Sequence, residues 1–130
     1  MQFHTRRYAD TLVAAPVGRI DHESAKQFEA ALAPLLAQLA ARDGALVLDF
    51  SGIEYISSVG LRVLMIAARQ LRERKAPFVV ADLQSLVAEV FAISRFDRVL
   101  IVKNRLEDAL AMCSAEALSQ YRAAGVAPVP

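Results

Sequence analysis

One cysteine, five glycines and two histidines are all that this 130-residue chain offers of the residue types on which many small active sites are built. Cys113 has no second thiol to pair with and no histidine at ligand spacing, so it reads as a small buried hydrophobe rather than part of a disulfide or metal centre. His4, His22 and Cys113 are scattered, whereas a zinc site needs three or four converging ligands. Gly44, Gly52 and Gly60 are too far apart for a phosphate-cradling loop, and no Gly-Lys-Ser/Thr triplet occurs. Neither a metal nor a nucleotide cofactor is expected.

An excess of charge is missing too. Fifteen lysines and arginines stand against fourteen aspartates and glutamates, a net of +1 with no long basic run. That balance argues against nucleic acid or an anionic membrane surface as the main partner. The longest apolar stretch, Ala30 to Ala37, is far short of the roughly 20 residues a bilayer span requires. The opening MQFHTRRYAD lacks the apolar centre of a signal peptide, so a cytoplasmic location is the expectation. What the chain does have is apolar content: 55% hydrophobic with 22% charged residues supports one packed domain. We assign it to residues 1–122, with a loosely ordered Ala-, Pro- and Val-containing tail over 123–130.

Hydrophobic period orders the elements. The opening residues and Thr11 to Val17 read as two short strands about a turn near Asp10, and Pro16 predicts that the second lies near an edge or ends there. From Ser24 to about Ala41, Phe28, Leu32, Leu35, Leu36 and Leu39 share one helical face, with Ser24 and Gln27 at capping-box spacing. Pro34 predicts a kink or break there. Ala45-Leu46-Val47-Leu48 is apolar on both faces, as in a central strand. A short connection, Ile53 to Ser58, leads to a helix ending near Arg74. There follow a strand over Phe78–Ala81, a helix over Leu83–Ile93, a strand over Val99–Val102 and a last helix from Leu106 to about Tyr121, capped by Asn104 with Glu107. The class is α/β: a mixed, mostly parallel sheet of four to five strands with about four helices.

Enzymatic parts are wanting. Ser58 lacks the flanking glycines of a nucleophile elbow, and a Ser58, His22, Asp21 triad is an arrangement of convenience. The informative segment is Asp49 to Leu64, where Ser57 and Ser58 stand directly before a helix. Helix capping alone would account for a serine there. Two features go further. The opening turn, Val59, Gly60, Leu61 and Arg62, carries no acid, unlike the acid-bearing turns expected after Ser24 and Asn104, and the small residues Ser57, Ser58 and Gly60 leave the backbone approachable. A phosphate here would bring about −1.5 to −2 charges to the positive end of the helix dipole.

Ile56-Ser57-Ser58-Val59-Gly60-Leu61-Arg62-Val63-Leu64 resembles the strand-to-helix segment of the STAS domain, specifically of the bacterial anti-sigma factor antagonists. Val17-Gly18-Arg19-Ile20-Asp21-His22-Glu23-Ser24-Ala25 is similar to that family's lead into its first helix, and Val87-Ala88-Glu89-Val90-Phe91 to its helix ending in Phe. The resemblance runs from about Leu12 to Leu118 and implies the STAS-like fold. It also implies a partner switch: the unphosphorylated protein binds an anti-sigma factor that is a histidine-kinase-like serine kinase, phosphorylation of Ser58 releases it, and a serine phosphatase resets the cycle. Ser57 stands where the family often has an acid and Val59 where a second serine often follows, which leaves Ser57 as the close rival acceptor. By the same resemblance Asp21 lies beside the modified loop, and Asp21, Ser57, Ser58, Val59, Gly60 and Arg62 form the contact surface; as a residue type, Asp21 is equally a helix N-cap. A constitutive STAS scaffold, in a transporter or a stress-sensing complex, is the alternative.

Overall fold

The computed structural model describes residues 1–41 and 43–125. A hairpin of β1 (Gln2–Tyr8) and β2 (Thr11–Ile20) leads to α1 (Ser24–Ala41), β3 (Ala45–Asp49), β4 (Ile53–Ile56) and α2 (Ser58–Glu73). Then come β5 (Phe78–Ala81), α3 (Ser85–Ile93), a 3-10 turn (Phe96–Arg98), β6 (Ile101–Lys103), α4 (Leu106–Cys113) and α5 (Ala115–Gly125). The main sheet runs β1-β2-β3-β5-β6, antiparallel only between β1 and β2, and β4 pairs in parallel with the far end of β2.

Side-chain alternation along the central strands builds two cores. Leu12, Ala14, Leu46, Leu48 and Val80 point to the larger one, filled by Phe28, Leu32, Leu64, Leu71, Val87 and Phe91 from α1, α2 and α3. Val13, Val47, Val79 and Ala81 point the other way, against Ala109 and Leu110 of α4 and Ala117 of α5. The sheet is therefore covered on both faces, which is why β3 and β5 read as continuous apolar runs. Cys113 packs half-buried at this second core, and burial, with the charge of Asp10 adding to it, pushes its thiol up to about 11. Its partly buried placement agrees with its reading as a small hydrophobe.

Several local expectations are corrected. Residues 53–56 form a strand, so the described residues hold six strands rather than four or five. β2 continues through Pro16 to Ile20 and is interior: Pro16 falls between the ladder to β3, which ends at Ala14, and the ladder to β4, which starts at Gly18. The missing amide therefore interrupts neither of these two ladders, while on the other edge of β2 Pro16 stands in register opposite Phe3 of β1. Gly18, at φ +123°, opens the ladder to β4 and sits at the register shift within it, between Gly18 and Arg19. α1 is not broken at Pro34, because Pro34 and Ala30 are both exposed and the carbonyl that loses its amide partner is on the wet side.

The final helix is split at Ser114, whose amide closes α4 on the Leu110 carbonyl while its Oγ accepts the Ala117 amide at 3.1 Å and opens α5. This raises the count of α-helices among the described residues to five. α4 starts after Arg105, not on an Asn104–Glu107 cap, and its first turn is held by the Arg105–Asp108 pair at 3.1 Å. Ala123 and Ala124 belong to α5, so the helix reaches into the stretch expected as tail; residues 126–130 lie outside those described.

Phe28 sits fully buried between Phe3 and Phe50, with ring centroids 6.4 and 6.2 Å away. Phe28→Ala is expected to cost about 3–5 kcal/mol of unfolding free energy, read from the shift of the urea midpoint at unchanged slope.

Candidate functional site

The parallel strands deliver their C-terminal ends, and the loops after them, to one end of the sheet. There β4 stops at Ile56 and the chain turns into α2. Ser57, not Ser58, is the N-cap: its backbone is extended (φ −86°, ψ 170°) and its Oγ accepts the Gly60 amide at 3.2 Å. Its amide donates to the Ile20 carbonyl at 2.7 Å and its carbonyl accepts from Leu61 at 2.9 Å. The amide, carbonyl and hydroxyl oxygen of Ser57 are thus each hydrogen-bonded, and the residue is half-buried. Ser58 is the first residue of the helix; it is exposed, and its hydroxyl makes no hydrogen bond among the described residues.

Gly60 sets how closely this corner packs. A Cβ there would stand 2.6 Å from Ile20 Cγ2 and 2.8 Å from Ile56 Cγ1, both on fully buried side chains. Only glycine lets the first turn of α2 lie directly on the ends of β2 and β4. Val59 is half-buried against the main core and Arg62 is exposed.

Asp21 follows the Ile20 carbonyl that Ser57 binds. Its Oδ1 accepts the amides of Glu23 at 3.1 Å and Ser24 at 2.9 Å, while Ser24 Oγ accepts the Asp21 amide at 2.9 Å. The capping box of α1 is therefore Asp21 with Ser24, not Ser24 with Gln27. Hydrogen bonds from the Ser24 amide and then the Ser24 hydroxyl hold the Asp21 carboxyl below its ordinary range, with the Glu23 amide and the charge of Arg19 adding to them. The α1 first turn carries no acid of its own; its negative charge comes from Asp21 at the cap and Glu23 just ahead. α2 likewise has no acid in its first turn, and its cap is an uncharged serine.

Three supports escaped the sequence. Arg19 lies over the Tyr55 ring, 4.7 Å from its centroid, across the β2–β4 pair. Gln84 Nε2 donates to the Ser51 carbonyl at 2.8 Å, joining the loops after β3 and β5. The Ile20–Ser57 bond needs β4 beside β2, and β4 was read as a connection.

A protein-family model described as Mlab, STAS domain, matches residues 4–103. The chain belongs to the STAS-domain family. It is 40% identical over 100 residues to BtrV of Bordetella bronchiseptica, a protein assigned to the anti-sigma factor antagonists, with 77% of this chain and 84% of that protein covered. Among solved structures, an anti-sigma factor antagonist from Mycobacterium paratuberculosis superposes with a TM-score of 0.78 at 24% identity, covering 86% of this chain and 92% of that one. The phosphorylated form of SpoIIAA from Bacillus gives 0.63 at 18% identity, covering 85% and 98%. At these identities the two structures speak for the fold.

Two outcomes test the geometry of this STAS corner. Gly60→Ala is expected to cost about 1–3 kcal/mol by overpacking against Ile20 and Ile56, measured by urea unfolding. Because the folded Asp21 carboxyl is lowered, its stabilising effect is present above the unfolded value near 3.8 and is lost as pH falls through the folded one. Asp21→Ala should therefore lower the melting temperature at neutral pH, and the gap from wild type should narrow as the pH falls below 3.8.

Proposed function

We propose that this STAS protein is an anti-sigma factor antagonist in a partner-switching pathway. Unphosphorylated, it binds an anti-sigma factor that is a histidine-kinase-like serine kinase; phosphorylated on Ser58, it is released. The observation that carries this reading is the contrast between the two serines: Ser57 Oγ is engaged in the cap, while Ser58 Oγ is exposed and unbonded at a helix start without acid. The 40% identity to BtrV supports the same reading.

In this reading the chain catalyses nothing. The kinase moves the γ-phosphoryl of ATP to Ser58 Oγ: the new O–P bond forms as the bond to ADP breaks, and a base of the kinase takes the hydroxyl proton. A serine phosphatase returns the hydroxyl by hydrolysis. Asp21, Ser57, Ser58, Val59, Gly60 and Arg62 make the partner-facing surface. Enclosing a dianionic group in an interface built for a neutral hydroxyl carries a desolvation and repulsion cost, and a cost of about 4 kcal/mol lowers affinity roughly a thousandfold. Partner and phosphatase are proteins; neither nucleic acid nor a lipid surface is called for.

One observation favours a second reading, a constitutive STAS scaffold of a transporter or stress-sensing assembly. Ser57 stands at the position of the family's frequent acid and serves the helix as its cap, a purely structural role.

A cognate histidine-kinase-like serine kinase, sought among the neighbouring genes, provides the test. Incubated with it and ATP, the protein should gain one phosphate, placed on Ser58 by fragment mass spectrometry. Ser58→Ala should bind that kinase yet gain none, and Ser58→Asp should bind more weakly. An unmodified protein, or phosphate on Ser57 with Ser58 untouched, contradicts the proposal.

A further inference from the structure

Arg62 lies four residues beyond Ser58 in α2, and both are exposed. Residues at that spacing share one face of a helix, with Cβ atoms about 5–6 Å apart. At the far end of α2, by contrast, Arg72 donates to the Val99 carbonyl and Arg74 to the Leu36 carbonyl. Arg62 makes no hydrogen bond or ion pair among the described residues, and the first turn of its helix holds no acid to claim it. Ser57 is differently placed. It lies five residues back, outside the first helical turn, with its Oγ turned to the Gly60 amide.

We propose that Arg62 is a clamp, within the same chain, for a phosphoryl group on Ser58. This rests on the assignment of Ser58 as the modified residue and adds a second half to the switch. In the unmodified protein the Arg62 guanidinium is a free cation beside the hydroxyl that faces the partner. Once Ser58 carries phosphate, the guanidinium pairs with it one turn back, in the planar fork geometry that suits phosphate oxygens. Modification then both adds an anion to the contact surface and withdraws a cation from it. A partner carboxylate that met Arg62 before modification would lose its counter-charge at the same moment that it met the phosphate.

The test needs no kinase. Protein carrying genetically encoded phosphoserine at position 58 is titrated by phosphorus NMR, as wild type and as Arg62→Gln. The second ionisation of phosphoserine falls near pH 6, and a paired cation favours the dianion. The wild-type midpoint should therefore lie lower than that of Arg62→Gln by about 0.3 pH unit or more, the size expected of a helical i,i+4 pair. With phosphoserine at position 57 instead, Arg62→Gln should leave the midpoint unmoved. Equal midpoints at position 58, or the same Arg62 dependence at both positions, would overturn the clamp. Failure of a kinase to modify Ser58 would sink the functional reading and leave this titration standing, so the two failures are separable.

Discussion

The hydrogen bond from the Ser57 amide to the Ile20 carbonyl, 2.7 Å long, fixes the corner of this molecule that holds the candidate site. It joins the end of β2 to the start of α2 across β4, and it forms only because Gly60 lets the helix settle on Ile20 and Ile56. With the Ser57 hydroxyl and carbonyl turned inward as well, the next residue is forced outward. Ser58 is presented on a hydrogen-bonded support, which suits the proposed transfer of a phosphoryl group to its hydroxyl. An exposed serine on a mobile loop would cost more to order at each encounter.

Electrostatics separates the neighbouring helix starts. α1 is capped by the Asp21 carboxylate, which its amides hold in the charged form, so its positive end is answered within the chain. α2 begins on a neutral serine, with no acid in its first turn and Arg62 one turn further on. That leaves a site short of negative charge. A phosphate would find in the folded chain both the helix end and the guanidinium, whereas the partner surface would meet a new anion.

The architecture was readable because its central strands are apolar on both faces and its helices are amphipathic at the expected period. β3, β5 and the Ser57-Ser58 junction stand where the apolar pattern put them. β4 was not readable. Its buried residues, Ile53 and Ile56, are three apart, since the strand is four residues long and pairs only with the tip of β2, so no alternation had room to develop. Pro16 misled because a strand that changes neighbours midway has a gap where a proline does no harm. The choice between Ser57 and Ser58 as cap also lay beyond sequence: either could cap, and only the bond to Ile20 decides which hydroxyl turns inward.

Amide hydrogen exchange, followed residue by residue by NMR, measures the stiffness of this corner without any partner. The Ser57 amide should be protected to the level of the β3 core amides, Val47 and Leu48, while the Ser58 amide, one residue later and without an acceptor in its helix, exchanges far faster. Equal, fast exchange at Ser57 and Ser58 would mean that the junction frays as one flexible loop, and Ser58 would then not be held out on a fixed support.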